Sequence, residues 1–276
     1  MDHDPALEDP TLEAEYNNRA KVPGHPAVIA RWQADAAAFR AGWTQAETGV
    51  AYGPTERTKL DLFWPDQRRG ACIAMFIHGG YWQGMDRSFS SHLARGLLAH
   101  GVAVAMPSYD LCPNVSMAFI VEQLRVCAGF LARRHGGPVL AIGHSAGGHL
   151  AAMIMATDWA ERGIPAHPAP NALALSGLFD LAPLVRTSIN RPLHLDESTA
   201  RALSPVLLGA PSGRIHAAVG GLEGREYERQ SRDIATAWDG SWEVLPGQDH
   251  FTIVSELTNP ESGVVRKALE LMPREA

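Results

Sequence analysis

The chain lacks the features that mark several large classes of protein. No run of consecutive apolar residues approaches the roughly 18 to 20 that a bilayer-spanning helix needs, so no membrane partner is expected. Long runs of Lys or Arg are missing too, and 24 basic residues against 30 acidic ones leave a net charge of −6, which argues against nucleic acid. Cysteine is scarce. Cys72, Cys112 and Cys127 are odd in number and form no CxxC pair, which excludes a disulfide framework and a zinc ribbon. No H-E-x-x-H spacing occurs, so neither a metal nor another cofactor is expected. The opening MDHDPALEDP has neither the basic nor the apolar region of a secretory signal, and a reduced, cytoplasmic setting is the expectation. Internal repeats and low-complexity tracts are absent as well.

What is present is a chain of 276 residues, 46% hydrophobic and 20% charged, able to bury a sizeable core. From about residue 50 it alternates short β-rich runs with helix-compatible segments, the pattern of a mostly parallel sheet covered by helices on both faces. Lys59–Trp64 alternates polar and apolar residues like a strand stopped by Pro65. Ala71–Ile77 is continuously apolar, as a strand buried on both faces must be. Val102–Met106, Val139–Ile142, Ala172–Leu175, Ile215–Val219 and Trp242–Leu245 read as further strands. Helices are expected at Phe89–His100, Ala118–Arg134, His149–Ala156 and Glu226–Trp238.

The expected organisation is one α/β domain spanning residues 1–276. Residues 1–45 hold one helix candidate, Ala27–Phe39, and are expected to pack across the domain or help roof a pocket. Residues 181–208, interrupted by Pro183, Pro192 and Pro205, read as an insertion forming a small lid over the sheet's carboxyl edge, where ligands of such sheets bind.

The strongest local signal is Gly143-His144-Ser145-Ala146-Gly147, placed between a strand and a helix. A serine on so sharp a turn needs small neighbours, and the following helix N-terminus favours a developing anion. His78-Gly79-Gly80-Tyr81-Trp82, after a buried strand, is suited to supply oxyanion donors from the Gly80 and Tyr81 N–H groups alongside that of Ala146. Tyr81 and Trp82 are positioned beside that loop to flank a flat aromatic group.

A general base must come late in the chain, and His250 follows the last expected strand at the correct edge. His216 lies within a strand and reads as a packed residue, while His144 and His149 flank the serine too closely to act on it. The acid falls in the loop Gly220-Gly221-Leu222-Glu223-Gly224, which points to Glu223; Asp180 and Asp249 are the rivals. Glu226 reads as a solvated charge at a helix start.

These residues resemble the kynurenine formamidases (arylformamidases) of the α/β-hydrolase superfamily. The likeness rests on HGGYW at 78–82, Tyr109-Asp110-Leu111-Cys112-Pro113, GHSAGGHLAAM at 143–153 and SGLFDLAPLVRTS at 176–188. It continues through Glu226–Ser231 and Gly247–Phe251, and the early EAEYNNR segment is also similar. The resemblance implies an α/β-hydrolase fold and hydrolysis of N-formyl-L-kynurenine to kynurenine and formate. It places the nucleophile on Ser145 and the histidine on His250. The family's acid is usually Asp, and the matching residue is Glu223, which keeps the charge and lengthens the arm. The implied partner is a small-molecule acyl amide or ester, with a second copy of the chain as the one macromolecular partner entertained. A broad-range short-chain carboxylesterase is the alternative activity, and a non-catalytic small-molecule-binding homologue the alternative of another kind.

Overall fold

The computed structural model describes residues 8–66, 72–164 and 166–273. Residues 1–7 of the expected extension, residue 71 at the start of an expected strand and residues 274–276 lie outside the described residues.

Eight strands form one sheet: β1 (Ala46–Ala51), β2 (Lys59–Phe63), β3 (Ile73–Ile77), β4 (Ala103–Pro107), β5 (Leu140–His144), β6 (Asn171–Leu175), β7 (Ile215–Gly220) and β8 (Ser241–Leu245). Their order is β1-β2-β4-β3-β5-β6-β7-β8. β2 runs antiparallel to both neighbours, and every other pairing is parallel. Pairing of Ile77 with Gly143, of His144 with Leu175 and of Gly220 with Leu245 brings the carboxyl ends of five strands to one edge.

Strand β3 shows why the apolar runs are continuous. Ile73, Met75 and Ile77 point into one core cluster while Ala74 and Phe76 point into the other, so neither face tolerates a polar side chain. The first face is covered by α5 (Met117–His135), α6 (Ala146–Met155) and α8 (Arg225–Ala237), and the second by α3 (His25–Gly42), α4 (Arg95–Ala99) and α9 (Gly263–Leu271). Helix α5 starts where the Ser116 hydroxyl accepts the Phe119 N–H at 3.2 Å and stops at Gly136, whose φ of 84° ends the helix in the left-handed region.

Two expectations differ from the structure. Strand β1 was not legible because AETGVA carries no alternation; it is a half-exposed edge strand whose register slips between Glu47 and Val50, with Gly49 at φ 67°. The expected single helix at 89–100 is instead two 3-10 turns, Arg87–Phe89 and Ser91–Ala94, followed by the five-residue α4. Ser88, Ser90 and Ser91 are poor helix formers, and the Arg40 guanidinium donates to the Ser88 carbonyl at 2.6 Å and the Ser91 hydroxyl at 2.8 Å, holding the backbone in turns. Among the described residues no helix is long and apolar enough to cross a membrane.

The first 45 residues and residues 181–208 are fastened to each other over the carboxyl edge. In α1 (Pro10–Tyr16), the Glu13 carboxylate accepts the Ser188 N–H at 2.8 Å and its hydroxyl at 2.7 Å. The Asp9 N–H donates to the Arg186 carbonyl at 2.8 Å. Tyr16, fully buried, donates to Glu226 at 2.6 Å and accepts from Gln230 at 2.9 Å. The segment 181–208 braces α6 through α7 (Glu197–Ala202) and the turn after it, where the Leu203 carbonyl accepts the His149 Nε2–H at 2.8 Å.

Several histidines are buried in the neutral form. Burial pushes His78, His92 and His149 down to about 4, and each has a buried ring nitrogen without a hydrogen-bond partner among the described residues. The unfolded chain takes up protons at these positions below about pH 6.5, where the native protein does not. Their contribution to stability is therefore complete above pH 6.5 and lost as the pH falls toward 4, by up to ~1.4 kcal/mol per pH unit for each histidine. Thermal melts are expected to show the midpoint falling steadily from pH 6.5 to 4.5, with a shallower slope for His149→Gln; a flat midpoint over that range contradicts the assignment.

Candidate active site

Ser145 occupies the turn between β5 and α6 with φ 56° and ψ −121°, a conformation that costs an L-residue on the order of 1–3 kcal/mol. Two glycines make the turn feasible. A Cβ on Gly143 would stand 2.0 Å from the Gly147 carbonyl oxygen, and one on Gly147 would stand 2.0 Å from that of Ile77. The Ser145 N–H donates to the Leu175 carbonyl at 2.8 Å, which pins the turn to β6.

From this serine a hydrogen-bonded line runs inward. The Ser145 hydroxyl lies 3.0 Å from His250 Nε2, and His250 Nδ1 lies 2.7 Å from Glu223 Oε2. All three residues are buried, with exposures of 2%, 4% and 2%. Glu223 is locked from several sides: its Oε1 accepts the Gly220 N–H at 2.6 Å and the Ser176 hydroxyl. The longer arm fits because it folds back over the strand end. A Cβ on Gly220 would come within 2.9 Å of Glu223 Oε1 and 2.5 Å of the Gln248 carbonyl, so glycine there makes room for the carboxylate. A carboxylate oxygen on Nδ1 fixes the tautomer that leaves Nε2 as acceptor toward the hydroxyl.

The rival acids lie elsewhere. Asp249 accepts the Phe251 and Thr252 N–H groups at 2.8 and 2.9 Å and shapes its own loop. Asp180 pairs with Arg229 at 3.3 Å. Glu226 binds Tyr16 and Arg229 and is not a merely solvated charge. His216 is buried in β7 against Ser241 and Glu243. His144 lines the site without touching Ser145 Oγ; its Nε2–H donates to the His250 carbonyl at 2.8 Å, and burial together with the neighbouring His250 holds its ring neutral. It thereby holds the loop that presents His250.

Residues 80–82 all adopt positive φ: Gly80 102°, Tyr81 52° and Trp82 58°. Neither the Gly80 nor the Tyr81 N–H donates to another described residue. Ala146 opens α6, so its N–H has no partner within the helix. The loop is anchored by Tyr109, whose hydroxyl donates to the His78 carbonyl at 2.9 Å, and by Gln83, which donates to the Ile189 carbonyl at 2.8 Å.

The cavity at Ser145 measures about 60 Å³ and is lined by Tyr81, Met85, His144, His250 and Phe251 together with Asn18, Arg19, Ile29 and Trp32. Tyr81 therefore stands where the sequence placed it. Trp82 does not: its side chain is fully buried, edge-on to His149 at 5.0 Å, and the aromatic wall is supplied instead by Trp32 of α3. The positive φ at Gly80, Tyr81 and Trp82 breaks the extended backbone, and Trp82 packs into the core against His149. Among the described residues, 181–208 contribute nothing to this wall, which is built by α2 (Asn18–Lys21) and α3. Asn18 donates to the hydroxyls of Tyr227 at 2.7 Å and Tyr81 at 3.1 Å, and the Tyr227 ring lies 4.9 Å from that of His250. Lys21 donates to the Glu223 carbonyl at 2.8 Å. Sequence reasoning named none of Ser176, Asn18, Arg19, Trp32 or Tyr227 for the site; the available hints were the resemblances over EAEYNNR, which holds Asn18 and Arg19, SGLFDLAPLVRTS, which begins at Ser176, and Glu226–Ser231, which holds Tyr227. Among the described residues no group of three or more His, Cys, Asp or Glu is placed to hold a metal ion.

Comparison with known proteins places the chain in a family. Residues 74–265 match the model of the alpha/beta hydrolase family. The chain is 31% identical over 246 residues to a kynurenine formamidase of Salmo salar, covering 84% of this chain and 83% of that one. It is 30% identical over 243 residues to a kynurenine formamidase of Danio rerio, covering 83% of each. Among solved structures it is similar to a protein provisionally described as a thioesterase from Silicibacter sp. TM1040, with a TM-score of 0.86 and 36% identity over 92% of this chain and 97% of that one. Fold and sequence together establish an enzyme of the hydrolase type, and the chain belongs to the alpha/beta hydrolase family, on the branch that holds the kynurenine formamidases.

Proposed function

We propose that the chain is a serine hydrolase that cleaves an aryl formamide such as N-formyl-L-kynurenine through an acyl-enzyme on Ser145. The observation that carries this reading is the donor–acceptor line from the Ser145 hydroxyl through His250 to Glu223. In this mechanism Ser145 Oγ attacks the formyl carbonyl as its proton passes to His250 Nε2. The N–H groups of Gly80, Tyr81 and Ala146 stabilise the resulting oxyanion. The imidazolium, held by Glu223, returns the proton to the leaving arylamine. Water, deprotonated by the same histidine, then releases formate and restores Ser145. The reading needs no partner beyond a small-molecule substrate, since every group named comes from one chain. Three free thiols, Cys72, Cys112 and Cys127, support a reduced cytoplasmic setting.

The similarity to kynurenine formamidases supports a formyl or other small acyl group over a long chain. A short-chain carboxylesterase is the second reading, supported by the 36% identity to a structure described as a thioesterase. The two activities share one acyl-enzyme route, but an anilide demands leaving-group protonation that an aryl ester largely does without.

Two measurements test this account. Ser145→Ala and His250→Ala are each expected to lower kcat by on the order of 10⁶, and Glu223→Gln by about 10⁴, with folded proteins by circular dichroism. Asp249→Asn should lose far less. Activity retained in Glu223→Gln with collapse in Asp249→Asn transfers the acid's role to Asp249. Across substrates, kcat/KM should be high for N-formyl-L-kynurenine and should fall from acetyl to octanoyl aryl esters. A rate rising steadily with chain length contradicts a small acyl site, and esters turned over without any formamidase activity favour the carboxylesterase.

A further inference from the structure

Arg19 is the one residue lining the Ser145 cavity that carries a permanent charge. Among the described residues its guanidinium has neither a hydrogen bond nor an ion pair. Other arginines on the same side of the molecule are engaged: Arg186 with Asp9, Arg191 with Glu8, and Arg229 with Asp180 and Glu226. An unpaired guanidinium at the rim of an otherwise uncharged cavity is a ready receptor for a carboxylate, whose two oxygens match its fork of donors. Its charge reaches the site itself: burial pushes the Tyr81 phenol up to about 12, and Arg19 works against that rise.

The short helix carrying Arg19 is held in place before any ligand arrives. The Asn17 side chain accepts the Ala20 N–H at 3.1 Å and donates to Glu13 at 2.9 Å. Lys21 is tied to the Glu15 carbonyl at 2.6 Å and to that of Glu223 at 2.8 Å. A second observation comes from Asn18, which is 1% exposed and lines the same cavity. Its Nδ2 hydrogens are both used on Tyr81 and Tyr227. Tyr81 donates its own hydrogen to the Tyr16 carbonyl, so its oxygen can only accept from Asn18, which fixes the amide's orientation. Among the described residues Asn18 Oδ1 has no donor and is itself buried, so Asn18 serves the site by fixing the Tyr81 hydroxyl in the cavity wall.

We propose that Arg19 binds a carboxylate on the leaving-group half of the substrate. The inference rests on the hydrolase reading above and sharpens it: a formyl group has no carboxylate to offer, so the anion belongs to the amine that departs. The site thus selects arylamides whose amine half carries a carboxylate. Arg19 acts here as a specificity-determining residue, remote from the proton transfers at Ser145 and His250.

The test compares wild type, Arg19→Gln and Arg19→Lys on N-formyl-L-kynurenine and on its decarboxylated counterpart, N-formylkynurenamine. Arg19→Gln should raise KM for the carboxylate substrate by about 10- to 100-fold, the scale of a charge-assisted hydrogen bond. Its kcat should stay within about threefold, since uniform binding is what is lost. The decarboxylated substrate should be unaffected, and Arg19→Lys should recover part of the loss. Equal effects on both substrates, or none on either, overturn the proposal and leave the hydrolase reading standing. If wild type hydrolyses neither formamide, that reading falls, and calorimetric binding of L-kynurenine and kynurenamine decides the role of Arg19 without turnover. Kynurenine bound at least about tenfold tighter by wild type but not by Arg19→Gln upholds it; equal or absent binding overturns it.

Discussion

The turn at Ser145 exists because nothing larger than hydrogen stands at positions 143 and 147. With Cβ contacts of 2.0 Å otherwise unavoidable, the start of α6 packs directly on the ends of β5 and β3. That approach holds a serine at φ 56° and sets its hydroxyl above the sheet's carboxyl edge. The rest of the site is assembled around this fixed point. His250 arrives from the loop after β8, its carbonyl held by His144, the residue just before the serine. One turn of chain thus positions both the hydroxyl and the loop that carries its base.

The acid shows how a change in side-chain length is absorbed. Glu223 reaches His250 by folding back onto the Gly220 N–H, a path open because Gly220 has no side chain, and Ser176 takes the remaining lone pair. Its own carbonyl accepts from Lys21, so the acid loop and the N-terminal helices form one unit. Tyr16, Asn18 and Lys21 bury polar groups between the extension and α8, and the small cavity owes its wall to this contact. Exposed ion pairs such as Arg191–Glu8 decorate the same seam but contribute little; the buried hydrogen bonds define it.

Much of this was legible in the sequence, for physical reasons. Buried parallel strands announce themselves as unbroken apolar runs, and the glycine spacing around Ser145 reports a backbone contact that no other residue permits. The edge strand β1 was silent because the register shift between Glu47 and Val50 breaks the alternation that marks a half-exposed strand. The turns at 89–94 were misread as helix because apolar spacing is visible in sequence while the pull of Arg40 on Ser88 and Ser91 is not. Trp82 was misplaced for a related reason: adjacency to the oxyanion loop does not say which way a side chain leaves a run of positive φ. The wall residues Asn18, Arg19 and Trp32 come from far earlier in the chain, and only tertiary packing brings them to the serine.

The central claim is that Ser145, activated by His250, is the nucleophile, and covalent trapping addresses it most directly. Treatment with a fluorophosphonate followed by peptide mass spectrometry should show one adduct per chain, on the peptide containing Ser145. The adduct should be absent in Ser145→Ala and formed far more slowly in His250→Ala. An adduct on any other residue, or labelling undiminished in Ser145→Ala, contradicts the account.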